Sequence, residues 1–308
     1  MEELTTIKIA TRGSALALIQ AIWVKDRLIG RYPDLTVELD IIKTKGDKIL
    51  DVPLASVGGK GLFVKEIEEA ILDGRAHLAV HSMKDVPTEF PAGMGIAAVA
   101  EREDCRDALV SRDGLTLDEL PAGARLGTSS LRRRAQLLAR RPDLKIESVR
   151  GNVDTRLKKI EAENLDGVIL AAAGLNRLEL SHRITQYLDP DIMLPAIGQG
   201  ALGLETVLDD EAVNAKIAFL DHWETAVCVK AERAFLERLE GGCQVPIAAL
   251  GTLKNGLVEL SGLVADPDGR TCLQDRLSGA PEEADELGKA LADKLLTRGA
   301  DKLLSAIG

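Results

Sequence analysis

Aromatic side chains are nearly missing from this sequence: two Trp, two Tyr and four Phe in 308 residues. A chain so poor in rings offers few platforms on which single-stranded bases could stack. Cysteine is scarce as well. Cys105, Cys228, Cys243 and Cys272 are widely spaced with no Cys-x-x-Cys pair, which excludes a zinc site of ordinary spacing and a disulfide framework and fits a reducing compartment. No apolar run approaches the length that spans a bilayer, and the opening "MEELTTIKIATR" carries acids where a secretion signal carries an apolar stretch. The expectation is a soluble, cytoplasmic protein with no membrane partner. Histidines lack metal-ligand spacing, so His77 and His81 read as core or edge residues and no metal is expected.

What is present is charge, unevenly spread. The formal net charge of −10 argues against a general polyanion binder, yet residues 121–160 hold eight Arg and three Lys against Asp143, Glu147 and Asp154. That window has no aromatic residue, which lowers the rank of nucleic acid and leaves a smaller anion as the expected partner.

Length allows two or three domains. Short β-type runs alternate with helical patterns through the first two hundred residues, the signature of parallel α/β architecture. "IKIATR" reads as a strand and "SALALIQAIWVKDRLIG" as a helix capped by Ser14, with Leu18, Ile22 and Ile29 on one face. A second α/β unit opens near "EREDCRD", and "LPAIGQGALGLE" reads as a crossing back to the first. Later segments joined by "KNG" and "PDG" spell antiparallel strands before a helical end. The boundaries expected are 1–100 with 197–220 for domain 1, 101–196 for domain 2, and 221–308 for a small α+β domain with a three-stranded antiparallel sheet.

Three turns share one layout. In "ATRGS", "GTSSLRR" and "VRGNVDTR" a strand leads through small or hydroxyl residues into a helix whose start carries arginine. Ligands of open α/β sheets bind at the carboxyl ends of strands, where helix N–H groups favour anions. Arg132, Arg133 and Arg134 stand in a first helical turn, where the macrodipole opposes cations. An isolated run of charge is ordinarily a solvated helix face; three matching turns point instead to an anionic ligand, carboxylate or phosphate alike. Arg140 and Arg141, near the helix end, read as structural.

"AHLAVHSMKDVP" closes an apolar strand with Ser82, Lys84 and Asp85. An Asp before Val-Pro is ordinarily a turn residue. Among cations at a strand's carboxyl end, it also suits holding a positive reaction centre and passing protons. Cys105, Cys228 and Cys272 read as small buried hydrophobes. Cys243, in "LEGGCQVPIAALG", follows two glycines and a helix C-terminus that does nothing to favour a thiolate, so it reads as an attachment point.

Together "ATRGSALALIQA", "VGGKGLFVKEIE", "AVHSMKDVP", "GTSSLRRRAQL", "VRGNVDTRL", "LPAIGQGALG" and "EGGCQVPIAA" closely resemble, in order, the porphobilinogen deaminase (hydroxymethylbilane synthase) family of tetrapyrrole biosynthesis. The match runs from about residue 7 to 250 and more loosely beyond. It implies two periplasmic-binding-protein-like α/β domains plus the small third one. It also implies head-to-tail condensation of four porphobilinogen molecules, with ammonia release, onto a dipyrromethane cofactor held through Cys243. By the same resemblance Asp85 is the catalytic carboxylate. Ser82, Lys84, Thr128, Ser129, Ser130, Arg132, Arg133 and Arg150 match cofactor-binding positions. Arg12, Ser14, Lys60, Phe63, Arg150, Arg156, Arg177 and Gln199 match substrate-binding ones. The partner implied is porphobilinogen, with no nucleic acid, on a monomeric chain. Ser56, Gly13, Arg134 and Asp154 depart from the family pattern, which bears on lid contacts and the tuning of the basic residues.

Overall fold

The computed structural model describes residues 4–44, 64–239 and 245–306. The chain divides into two compact units, Met1–Arg102 with Ala201–Ala226, and Glu103–Gly200 with Val227–Gly308.

The first unit begins with β1 (Thr6–Arg12), α1 (Ala15–Arg31) and β2 (Thr36–Ile42), continues with α2 (Lys65–Leu72), β3 (Leu78–Ser82) and β4 (Met94–Val99), and is completed by a later strand. Ser14 caps α1 by accepting from the Ala17 N–H at 3.3 Å. Its buried stripe is Gln20, Ala21, Val24 and Leu28. Ile22 and Ile29, expected inside, are exposed. The helix meets the sheet through Ala21, Val24 and Leu28, which pack on Ile7, Ile9, Leu78 and Val80, and Ile22 and Ile29 fall outside that stripe.

The second unit holds β5 (Asp107–Ser111), β6 (Arg125–Gly127), α3 (Leu131–Arg140), β7 (Lys145–Glu147), α4 (Val153–Ala162), β8 (Gly167–Ala171), α5 (Ala172–Arg177) and β9 (Gln186–Leu188). The chain then returns to the first unit as β10 (Leu202–Val207) and α6 (Glu211–Ile217). The first sheet has the order β2-β1-β3-β10-β4 and the second β7-β6-β8-β5-β9. In both, the fourth strand runs antiparallel to its two neighbours while the first three are mutually parallel. The two sheets thus share one open α/β topology. The parallel strands β1 and β3 therefore end on one edge of their sheet, and β6, β7 and β8 on one edge of theirs.

The remainder comprises α7 (Trp223–Arg238), the antiparallel sheet β11 (Ile247–Lys254), β12 (Leu257–Ala265) and β13 (Cys272–Gly279), then α8 (Ala284–Leu296) and α9 (Ala300–Ser305). Asn255 and Gly256, both at positive φ, make the tight β11–β12 turn. Leu287, Leu291 and Leu295 form one stripe of α8 and pack with Phe235 of α7 and Leu260 of β12. Each such buried side chain contributes about 1.5–3 kcal/mol. This sheet lies in the second unit, where Ala248, Leu250, Leu263 and Ala265 pack against Ala135 of α3 and Leu194.

Candidate functional site

In the first unit, Arg12 ends β1 and Ser14 opens α1, both half-buried. Beyond β3 the chain makes one 3-10 turn, Met83–Asp85, that leaves Asp85 exposed, Lys84 half-buried and Met83 inside. Ser82 accepts a 2.9 Å hydrogen bond from Gln20 Nε2. Gln20 is a buried polar residue that sequence reasoning missed. The signal was there: it stands in register with Val24 and Leu28, a polar side chain on an apolar stripe.

In the second unit, Thr128, Ser129 and Ser130 form the turn after β6. Thr128 is buried and its Oγ1 accepts from the Ser130 N–H at 3.2 Å; Ser129 is exposed; Ser130 caps α3 through the Arg133 N–H at 3.4 Å. The arginines that follow do not project into solvent. Arg132 and Arg133 are each 5% exposed and converge on Asp107, which is fully buried at the start of β5.

Arg132 Nη1 donates to Asp107 Oδ2 at 2.6 Å and to the Leu194 carbonyl at 2.7 Å. Arg133 donates through Nε and Nη2 to Asp107 Oδ1 at 3.0 and 2.8 Å, and through Nη1 to the Ile169 carbonyl. Gln199 Nε2 completes the shell, 3.0 Å from Asp107 Oδ1 and 2.7 Å from the Cys105 carbonyl. Burial pushes the Asp107 carboxyl up, but the two guanidinium groups and their hydrogen bonds outweigh it and hold it well below the usual carboxylate range. Two cations against one anion leave a positive surplus in a place nearly closed to water.

Four other arginines of the basic window are paired, two with acids inside it and two with acids from elsewhere in the chain. Arg125 pairs with Glu147, Arg134 with Asp268, Arg140 with Asp118 and Arg141 with Asp143. The last two match the structural reading. A count of local charge overstated what awaits a ligand, because Asp107, Asp118 and Asp268 lie outside the window. With Arg132 and Arg133 inside and Arg134 pinned, α3 has no row of arginines to lay in a nucleic-acid groove.

The other expected residues of the second unit lie beyond β7 and β8 and in the crossing segment. Arg150 follows β7 and is half-buried; Arg156 on α4 turns Nε back to the Gly151 carbonyl at 2.7 Å. Arg177, ending α5, donates to the Gly200 carbonyl at 2.7 Å; burial lowers its pKa and the nearby Glu103 opposes that. Gln199, expected to line the site, is wholly buried in the Asp107 network.

Sequence reasoning also missed Asp107 and Glu232. Glu232, fully buried on α7, accepts from the Gly198 N–H at 2.6 Å and the Gly251 N–H at 2.9 Å, joining the "GQG" segment to β11. The available signal was slight: Asp107 opens the apolar run "DALVS", and Glu232 lies on a helix whose neighbouring Ala231, Ala234 and Phe235 are buried. Lys60, Phe63, Ser56 and Cys243 lie outside the described residues. Of the other cysteines only Cys228 is buried; Cys105 is half-buried and Cys272 exposed, at the start of the edge strand β13, so the buried reading fails for Cys272. Asp154 is exposed in the first turn of α4, where a carboxylate suits the macrodipole.

Residues 7–215 match the family model described as "Porphobilinogen deaminase, dipyromethane cofactor binding domain", and residues 226–297 match "Porphobilinogen deaminase, C-terminal domain". The chain belongs to the porphobilinogen deaminase family. It is 58% identical over 301 residues to the porphobilinogen deaminase of Pelobacter propionicus, covering 98% of this chain and 97% of that one. The porphobilinogen deaminase of Geobacter metallireducens is also 58% identical, over 98% of this chain and 94% of its own. Among solved structures, the substrate binding domain of a putative molybdenum ABC transporter from Clostridium difficile aligns with a TM-score of 0.44 and 10% identity, over 70% of this chain and 91% of that one. Among the described residues no helix is long and apolar enough to cross a membrane, and no cluster of His, Cys, Asp and Glu could hold a metal ion.

Proposed function

We propose that this chain condenses four porphobilinogen molecules head to tail, releasing ammonia at each step, and frees the product, hydroxymethylbilane, by hydrolysis. The observation that carries the reading is the buried surplus of guanidinium over carboxylate at the start of α3, in a segment matching the family's dipyrromethane-binding model. A dipyrromethane with several carboxylates fits it, since an anion placed there would balance the charge that Asp107 leaves uncompensated. A dipyrromethane joined to Cys243 by a thioether supplies the pyrrole carbon from which the product is extended.

The chain's own residues do the rest. Arg132, Arg133, Arg150, Lys84, Ser82 and the hydroxyls of Thr128, Ser129 and Ser130 hold cofactor carboxylates. Arg12, Ser14, Arg150, Arg156, Arg177, Lys60 and Phe63 receive the incoming substrate, and Gln199 holds Asp107. Asp85 accepts hydrogen bonds from pyrrole N–H groups and faces the cation that develops on the incoming ring as ammonia leaves. After coupling, it takes the proton released from the joined carbon. A fixed carboxylate beside a developing cation is electrostatic catalysis, and its proton transfer is general-base catalysis. The enzyme is read as a cytoplasmic monomer, which sedimentation at working concentration checks for the oligomeric state.

Asp85→Asn tests the assignment. The side chain keeps its size and loses its charge and basicity, so fold and cofactor mass are expected to be retained while kcat falls about a hundredfold or more. Near-parental turnover would remove Asp85 from its role.

A further inference from the structure

A buried pair lies at the foot of the Asp85 turn and takes no part in the chemistry above. His81 Nε2 stands 2.8 Å from Glu205 Oε2, with the side chains 7% and 1% exposed. Alternation along β3 gives Leu78 and Val80 to the α1 side, where Ser82 meets Gln20, and gives Ala79 and His81 to the face that α2 covers. In the antiparallel register of β10 against β3, Gly203 is opposite His81 and Glu205 opposite Ala79, so the side-chain bond runs diagonally from one strand to the other.

The arrangement is costly. Glu205 Oε1 is buried with no hydrogen-bond partner among the described residues. Another carboxyl, Glu68 of α2, faces the pair: burial pushes its pKa up, the charge of Glu205 pushes it up further, and His81 opposes that. A half-satisfied buried carboxylate works against stability, and an apolar pair of similar volume would ordinarily serve a core at least as well.

What the pair adjoins is the turn. Met83 N–H donates to the Ala201 carbonyl at 3.0 Å, and the Val86 N–H closes the turn on the Met83 carbonyl at 3.2 Å. The Met83 sulfur occupies the room that Gly203 leaves, so that a Cβ there would collide with it. Residues 81–83 are thus tied to α1 and to β10 on both faces, immediately before Lys84 and Asp85.

We infer that His81 and Glu205 are positioning residues for Asp85, their buried bond locking β3 to β10 at the root of the 83–85 turn and so fixing where the carboxylate stands. This rests on Asp85 being the catalytic carboxylate.

The test compares Glu205→Gln, Glu205→Leu and the double variant His81→Phe/Glu205→Leu with the parent, as cofactor-loaded enzymes verified by intact mass, with Asp85→Asn alongside. Glutamine keeps an oxygen for the imidazole; leucine strands the imidazole; the double variant removes both polar groups, which is often neutral or stabilising. A purely structural pair predicts that the double variant recovers both its urea midpoint and its rate. A positioning pair predicts a recovered midpoint with kcat down at least about tenfold and KM within about twofold, since misplacement of a catalytic group by about 1 Å is expensive. Parental kcat in the double variant would overturn the inference. Should that variant not fold, the two single variants decide: Glu205→Gln turning over faster than Glu205→Leu at similar KM supports it, and equal kcat overturns it. A fully active Asp85→Asn would instead overturn the catalytic assignment, whatever the pair does.

Discussion

Arg133 and Asp107 meet edge to edge inside the second unit, guanidinium Nε and Nη2 both directed at carboxylate Oδ1, with Arg132 holding the other oxygen. Removing the anion from this cluster strands two buried cations. Asp107→Asn is expected to destabilise the protein by about 3–5 kcal/mol, the usual consequence of breaking a buried pair from one side. Urea unfolding of the two proteins checks it.

The same carboxylate gives a pH dependence of known sign. Its pKa is depressed in the folded chain, so the unfolded chain binds the proton more readily. The stability it contributes is complete above the unfolded value near 4 and is lost as pH falls below that toward the folded value. The gap in urea midpoint between parent and Asp107→Asn is therefore expected to be full at pH 7 and to shrink as the pH is taken below about 4. A gap that stays constant on acidification would contradict the charge-pair account.

The β12–β13 turn is held against α3 by two contacts of unequal weight. Arg134 reaches the Pro267 carbonyl at 3.2 Å and Asp268 at 2.8 Å, both from half-exposed positions. Gly269, at φ +71°, lies so close to the backbone of Ala135 and Ala139 that no Cβ fits. Arg134→Ala is expected to cost no more than about 1 kcal/mol, as exposed pairs do. Gly269→Ala combines a left-handed backbone with a backbone clash and is expected to cost about 2 kcal/mol or more. Thermal or urea unfolding ranks the two.

These cases show what local sequence carries and what it cannot. The strand-turn-helix units around Arg12, Ser130 and Arg150 were legible, because strand composition, a turn of small or polar residues and a helical period all lie close together in sequence. The two sheets and the hairpins at "KNG" and "PDG" followed for the same reason. Partnerships were not legible. Nothing near "SSLRRR" announces that Arg132 and Arg133 turn inward, since their acid enters from another strand and Gln199 from a crossing segment. The buried face of α1 was misjudged through Ile22 and Ile29, because hydrophobicity alone does not say which side of a largely apolar helix meets the sheet. Residue type alone points Cys272 inward, whereas it starts an edge strand and is exposed.

The central claim is a cofactor anchored at Cys243 and held by guanidinium groups, and intact-mass measurement of the purified active enzyme addresses it most directly. The account predicts a chain heavier than its sequence by one dipyrromethane, with the added mass on the peptide containing Cys243. Active enzyme of unmodified mass, or a modification on any other residue, would contradict it.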